Sequence, residues 1–329
     1  MKHVICLIII IIPIFSFTFA QTPVNDENWN LNTTFSDEFN TTRKSIWNDL
    51  STTQQWGQEI FRSSNIGYDN DGGRDFLRFT AEGVSGIYYS GGIKTGFEDG
   101  HLGLGYGYYE IEARLIETPG IQSGLWPAFW TIQSWKTGPP YWYEEIDIYE
   151  PANCQVQRGE HVVGLWHEKN DSNPIQDNEK EEGIYYDVDM SNWHKYAVEW
   201  TPDKLLFYID DIPFFRIAGD IVPSHQNTNL IIDLQVDPSD PGWCFPDISN
   251  GILGYFDINY FRYHELEMDC TDEVTASEGN GFNFSTFDYK VKKSFTISNT
   301  SVPSGGVTLR ATDFIEISGE FEVPHGSDF

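Results

Sequence analysis

Tyr106-Gly-Tyr-Tyr-Glu-Ile-Glu-Ala-Arg-Leu115 alternates, placing Gly107, Tyr109, Ile111, Ala113 and Leu115 on one side. A period of two marks a half-buried strand, whereas an amphipathic helix repeats near 3.6. The same period recurs outward from this stretch. Residues 193–200 and 204–210 alternate as a pair about the turn Thr201-Pro202-Asp203, where Pro presets φ and Asp bonds back to the main chain. Residues 212–217, 230–236 and 255–263 read as further strands, and no long amphipathic helix competes with them. Many short strands punctuated by Gly, Pro, Asn and Asp predict an all-β sandwich.

The 329 residues carry a formal charge of -30, from 50 acidic and 20 basic side chains. So acidic a chain repels phosphate backbones and anionic headgroups, which argues against nucleic acid or a membrane surface as partner. Aromatic residues make up 16% of the sequence, with 11 Trp, 17 Tyr and 23 Phe. That exceeds ordinary core use and predicts rings on a surface that binds something flat and uncharged. A monomer is expected.

Residues 1–20, MKHVICLIIIIIPIFSFTFA, place one early Lys before an apolar run that closes at Ala20. This is the order of a secretory signal peptide; the alternative is a membrane anchor, against which Pro13 and the polar sequence after Ala20 both speak. Export is expected, to the medium or the cell surface. Loss of Cys6 with the signal leaves Cys154, Cys244 and Cys270, at most one disulfide, whose pairing the sequence leaves open.

The stretch richest in chemistry is Tyr143-Glu144-Glu145-Ile146-Asp147-Ile148-Tyr149-Glu150. If Ile146 and Ile148 face the core, Glu145 and Asp147 lie side by side on the other face. Like charges so placed repel and raise each other's pKa, a cost that a purely structural strand has no reason to carry. Strict alternation would send Glu150 inward. One extra residue, a β-bulge near Ile148-Tyr149, returns it to the face of Glu145 and Asp147. Three aligned carboxyl groups suit retaining glycoside hydrolysis, which needs a nucleophile and an acid/base about 5–5.5 Å apart. The third can hold the nucleophile and keep a proton in the cluster.

Glu145-Ile-Asp-Ile-Tyr-Glu150 resembles the E-x-D-x-x-E signature of glycoside hydrolase family 16, in its bulged form. Phe35-Ser-Asp-Glu-Phe39, Tyr106 to Arg114, Gly124-Leu-Trp-Pro-Ala-Phe-Trp130, Trp193 to Asp203 and Phe256 to Tyr263 resemble further family motifs in the family's order. The resemblance implies a β-jelly-roll sandwich of two antiparallel sheets over residues 21–265, with a substrate cleft across a concave face. It implies Glu145 as nucleophile, Asp147 as assisting acid and Glu150 as general acid/base, with no cofactor needed for catalysis. Trp126, Trp130, Trp142 and Trp166 surround the acidic strand and are candidate sugar platforms or core. The resemblance puts Trp126 near the cleft and His167 against substrate. It also implies a structural Ca²⁺ away from the cleft, with Glu38, Gly73 and Asp257 as candidate ligands. Asp69 to Asp75 lacks the bidentate Glu of an EF-hand and reads as a turn.

Bulged members of the family cleave β-1,3-glucans, mixed-linkage glucans or marine galactans. Few bases lie near the proposed site (Lys94, Lys136, Arg158 and Lys169), which favours a neutral glucan over a sulfated galactan. Tyr149 and Glu144 depart from the residues usual in laminarinases and leave the polysaccharide open. A carbohydrate-binding protein on the same sandwich, or a transglycosylase using the same acids, are the competing functions. Residues 266–329 are expected to form a polar linker over 269–285, then a small β-rich extension. Its end resembles C-terminal modules of secreted Bacteroidetes proteins.

Overall fold

The computed structural model describes residues 29–52, 57–95, 104–134, 141–151, 159–170, 178–201, 204–218, 221–223, 228–236, 245–266, 268–277, 291–301 and 311–322. The leader at 1–20, Cys154 and Cys244 lie outside them, as does the side chain of Cys270. In chain order the strands are β1 (Trp29–Leu31), β2 (Trp47–Asp49), β3 (Glu59–Phe61), β4 (Ile66–Asp71), β5 (Arg74–Val84), β6 (Ile87–Ser90) and β7 (Gly92–Thr95). Then come β8 (Gly107–Glu117), β9 (Leu125–Ser134), β10 (Tyr141–Tyr149), β11 (His161–Asn170), β12 (Asn178–Tyr185), β13 (His194–Thr201) and β14 (Lys204–Ile209). The last six are β15 (Ile212–Ala218), β16 (Asn229–Val236), β17 (Gly251–Leu266), β18 (Met268–Ser277), β19 (Val291–Ser301) and β20 (Ala311–Glu322).

Two sheets form the jelly-roll sandwich. The outer one runs β15-β14-β13-β8-β17-β5-β6-β3, with β1 added to β17 and β4 to β5; the inner one runs β12-β11-β10-β9-β16-β7-β2. The alternation in β8 is realised as expected: Tyr109, Ile111, Ala113 and Leu115 enter the core, facing Phe129, Ile146, Leu230, Ile232 and Leu234 of the inner sheet. Strand β17, expected over 255–263, changes phase along its length. Its core residues run Phe256, Ile258, then Phe261 and Tyr263, because the register against β8 slips between Ile258 and Tyr260. An extra residue there keeps both halves of a long strand facing inward. Gly72 and Gly73, both at positive φ, form the two-residue β4–β5 turn that the sequence indicates.

The C-terminal residues depart from expectation. Part of the supposed linker, 268–277, is strand β18, and β18-β19-β20 make a parallel three-stranded sheet. Ladder hydrogen bonds belong to the backbone, so a polar run pairs readily when its neighbour carries the apolar surface. Here β19 does so, with Phe295 and Ile297 buried.

Phe261 ties the layers together. Fully buried, it meets Trp47 edge-on at 5.5 Å and packs against Phe129 of the inner sheet at 6.1 Å. Phe261→Ala is expected to lower stability by about 3–5 kcal/mol, the usual cost of removing a core phenyl ring. Denaturant midpoints would measure it, and a loss near zero would show that this junction is not part of the cooperative core.

Candidate active site

Strand β10 lies between β11 and β9. Against β9, Glu145 sits opposite Ile132 and Asp147 opposite Trp130, but Tyr149 sits opposite Phe129. Two residues on β10 thus span one on β9, and Ile148 is the inserted one. Its consequence is visible in burial. Ile146, Ile148 and Tyr149 all enter the core, so two consecutive side chains point inward and Glu150 emerges on the face of Glu145 and Asp147. Those three acids line a cleft of about 170 Å³ with Trp126, Ala128, Trp130 and Gln235. The acidic trio expected from spacing therefore forms.

Gly164 of β11 pairs with Asp147; a Cβ built there would press on Glu181 O of β12 at 3.1 Å and leave an ordinary 3.8 Å to Asp147 Oδ2. Trp166, half-buried, pairs with Glu145. Trp126 is half-buried at the cleft, whereas Trp130 is 4% exposed and forms more floor than platform. His167 pairs with Glu144, not with Glu145, and Trp142 pairs with Lys169. Trp142 of β10 and the β10 partner of His167 are thus even-numbered positions, alternate to Glu145 and Asp147, and the side chains of His167 and Trp142 lie outside the described residues.

Ala128, Gly164, Gln235 and Asp233 were not singled out from sequence. The signal was present in Asn229-Leu-Ile-Ile-Asp-Leu-Gln-Val236, where Asp233 and Gln235 interrupt an apolar run at alternate positions. It is the same pattern as Glu145 and Asp147. Burial pushes the Asp233 carboxyl well above the usual range, and the charge of Glu59 pushes it further.

The calcium set does not assemble. Both oxygens of Glu38 accept from Arg262, at 2.9 and 2.8 Å. Asp257, fully buried, is held by Arg78 Nε at 2.6 Å, Arg78 Nη2 at 2.8 Å and Arg114 Nε at 3.0 Å. Arg262 stands five residues from Asp257 on β17, on the order of 15 Å by strand rise. Gly73 is similarly removed, five residues along β5 from Arg78, the partner of Asp257. Guanidinium groups occupy the carboxylates that calcium would need, so this set does not fit the ion. Among the described residues no group of three or more His, Cys, Asp and Glu is placed to hold a metal.

The sequence profile of "Glycosyl hydrolases family 16" matches residues 27–227. The endo-1,3-1,4-beta-glycanase EglC of Rhizobium meliloti is 26% identical over 188 residues, 56% of this chain and 36% of that protein. A beta-glucanase of Rhodothermus marinus is 31% identical over 118 residues, 35% of this chain and 38% of its own length. The matches thus span less than half the length of these relatives. Among solved structures, a Bacteroides ovatus mixed-linkage glucan enzyme of family 16 in complex with a G4G4G3G product superposes with a TM-score of 0.55 at 20% identity. It covers 70% of this chain and 99% of that one. The κ-carrageenase of Pseudoalteromonas carrageenovora superposes at 0.58 and 20% identity, over 74% of this chain and 98% of that one. At such identities the likeness is one of fold.

The bulge has a receiving site in the core. Tyr149 stacks on His161 at 5.2 Å and lies 4.1 Å from the Tyr196 ring. Neither nitrogen of His161 finds a hydrogen-bond partner among the described residues. Burial, then the nearby His194, pulls the His161 pKa down to about 3. Between the ordinary value near 6.5 and that depressed one, the unfolded chain binds a proton that the native chain refuses. Stability from this group is therefore complete above about pH 6.5 and falls by up to about 1.4 kcal/mol per pH unit below it. His161→Phe is expected to flatten the loss of melting temperature between pH 6.5 and 4; an unchanged slope would refute the neutral buried histidine.

Proposed function

Because the chain belongs to the family 16 glycosyl hydrolases, we propose that it is an exported, endo-acting retaining β-glucanase cleaving β-1,3- or mixed β-1,3/1,4-linked glucan. The observation that carries this reading is the bulge at Ile148, which brings Glu145, Asp147 and Glu150 to one cleft face beside Trp126 and Trp130. Retaining hydrolysis needs an attacking carboxylate and a protonated one on opposite sides of the scissile bond. Glu150 donates its proton to the glycosidic oxygen as Glu145 attacks the anomeric carbon. The aglycone departs with that proton, and a covalent glycosyl ester on Glu145 remains. Glu150, now a carboxylate, takes a proton from water, whose oxygen displaces Glu145 and returns the sugar with its original anomeric configuration. Asp147, between them in sequence and on the same face, steadies the Glu145 carboxylate and keeps a proton within the cluster.

A neutral glucan suits the lining. The cleft presents indoles that stack on sugar C–H faces and carboxyl and amide groups that bond to hydroxyls. Among the described residues that line the cleft there is no lysine or arginine, and a sulfate-bearing galactan calls for one. The names of the Rhizobium and Rhodothermus relatives point the same way. The leader-like residues 1–20 support export.

A panel of laminarin, mixed-linkage glucan, agar and κ-carrageenan, with product sizing over time, tests the reading. Short oligosaccharides from a glucan are expected early, and Glu145→Gln is expected to abolish their release while retaining fold and polysaccharide binding. Cleavage confined to a galactan would overturn the substrate, and near-parental turnover in Glu145→Gln would overturn the mechanism.

A further inference from the structure

Asp233 is fully buried in the inner sheet, yet its side chain reaches the cleft lining. It pairs with Ala128 of β9 and Gly92 of β7, on the strand face that carries Gln235 two residues on. Gln235 Nε2 donates to its two carboxyl oxygens at 3.3 and 3.5 Å. The Trp130 indole is close enough to the same carboxyl to act on it, lowering its pKa. Gln235 and Trp130 both line the cleft, and Trp130 pairs with Asp147. Asp233 thus supports two residues of the cleft lining from beneath.

A cover closes over it. Residues leading into β3 cross the end of β16: Gln58 N–H bonds to Val236 O at 2.8 Å, and Glu59 Oε2 accepts Val236 N–H at 2.9 Å. Glu59 Oε1 accepts Gly57 N–H at 3.3 Å, and the Glu59 side chain is itself fully buried. A Cβ on Gly92 would strike Leu50 Cδ1 at 2.6 Å and Asp233 Cβ at 2.7 Å, so these two side chains meet over that glycine. Both oxygens of Glu59 are thus bonded to backbone amides. Asp233 then has one buried carboxylate toward β3 and the acid trio toward β10.

We propose that Asp233 is a positioning residue of the cleft, a carboxylic acid kept neutral that fixes the Gln235 amide and the Trp130 indole where substrate lies. The inference rests on the retaining β-glucanase reading of the same cleft. A fully buried carboxyl group with other carboxyl groups close by sheds its charge by keeping its proton. Burial and Glu59 raise its pKa, Glu150 adds to the effect, and Gln235 and Trp130 oppose it without prevailing. The facing groups are Glu59 from β3, Glu145, Asp147 and Glu150 at β10, Trp130 from β9 and Gln235 from β16. From β7 come Gly92 and, two positions on, Lys94, at the level of Ile231. A neutral Asp233 anchors Gln235 and backs Trp130 without adding another negative charge beside Glu150.

The test has two arms on the full chain. In the first, the infrared difference spectrum of parent minus Asp233→Asn at pH 7 is expected to show a protonated-carboxyl band present in the parent and absent from the variant. Carboxylate bands in its place overturn the proposal. In the second, kcat/KM on mixed-linkage glucan is expected to fall on the order of a hundredfold in Asp233→Ala, the scale of an ångström-sized misplacement. Asp233→Asn, the isostere of the neutral acid, is expected to recover most of that loss. An Asn variant as poor as Ala would show that charge is required and would overturn the assignment. A parent that cleaves no glucan sinks the glucanase reading, while the infrared arm still decides the state of Asp233.

Discussion

One unpaired residue in one strand governs the rest of this molecule. With Ile148 inserted, β10 buries two consecutive side chains, Ile148 and Tyr149, and exports Glu150. Full burial of an aliphatic or aromatic side chain is worth about 1.5–3 kcal/mol. A regular register would instead pull Tyr149 from its contacts with His161 and Tyr196 and bury the Glu150 carboxylate, whose uncompensated charge costs far more than one apolar contact returns. The hydrophobic core therefore orients the acids. The cleft chemistry is a consequence of what the sandwich can bury, and the single backbone irregularity is stable because both faces of the strand gain from it.

The trio was legible because it is local: six residues, two periodicities and one conflict between them state the bulge. Trp126 and Trp130 were legible for the same reason, their spacing of four setting both on one strand face. The Asp233 and Gln235 pair carried an equally local sign, polar residues alternating inside an apolar run, but its meaning depends on Glu59, whose contact with Val236 spans 177 residues of sequence. No periodicity encodes that meeting. The parallel C-terminal sheet was hidden differently, since 268–277 offers little of the apolar alternation by which strands were found. His167, expected against substrate, is placed only by its backbone, which pairs with Glu144; its side chain lies outside the described residues.

Resemblance also suggested a calcium ion where the chain supplies its own cations. Asp257 receives two guanidinium groups, and those groups continue outward: Arg78 to Asp69 at 2.6 Å and Arg114 to Asp71 at 2.7 Å. Arg114 lies over the Trp193 ring at 4.6 Å and Arg78 over Tyr255 at 4.5 Å. This network joins β4, β5, β8 and β17 of the outer sheet. Removing one partner from a buried pair leaves an uncompensated charge, which makes such networks brittle to mutation even when their net contribution is small. In a chain of charge -30, three arginines are committed to Asp257 and Glu38, and no arginine is among the described residues that line the cleft.

That distribution bears on how the cleft can work at neutral pH. Glu145, Asp147 and Glu150 share one face, Asp233 lies beneath them and Glu59 behind it. Charges that share a face raise the cost of one another, so carboxyl groups gathered in this way favour keeping protons. The effect is directed at Asp233, which burial and the charge of Glu59 push well up. Glu59 itself has its two oxygens bonded to backbone amides. On the retaining-hydrolase reading proposed for this cleft, a proton held among such acids is the one that the leaving oxygen takes, so the acidity that argues against nucleic acid as a partner would serve the chemistry of this sheet.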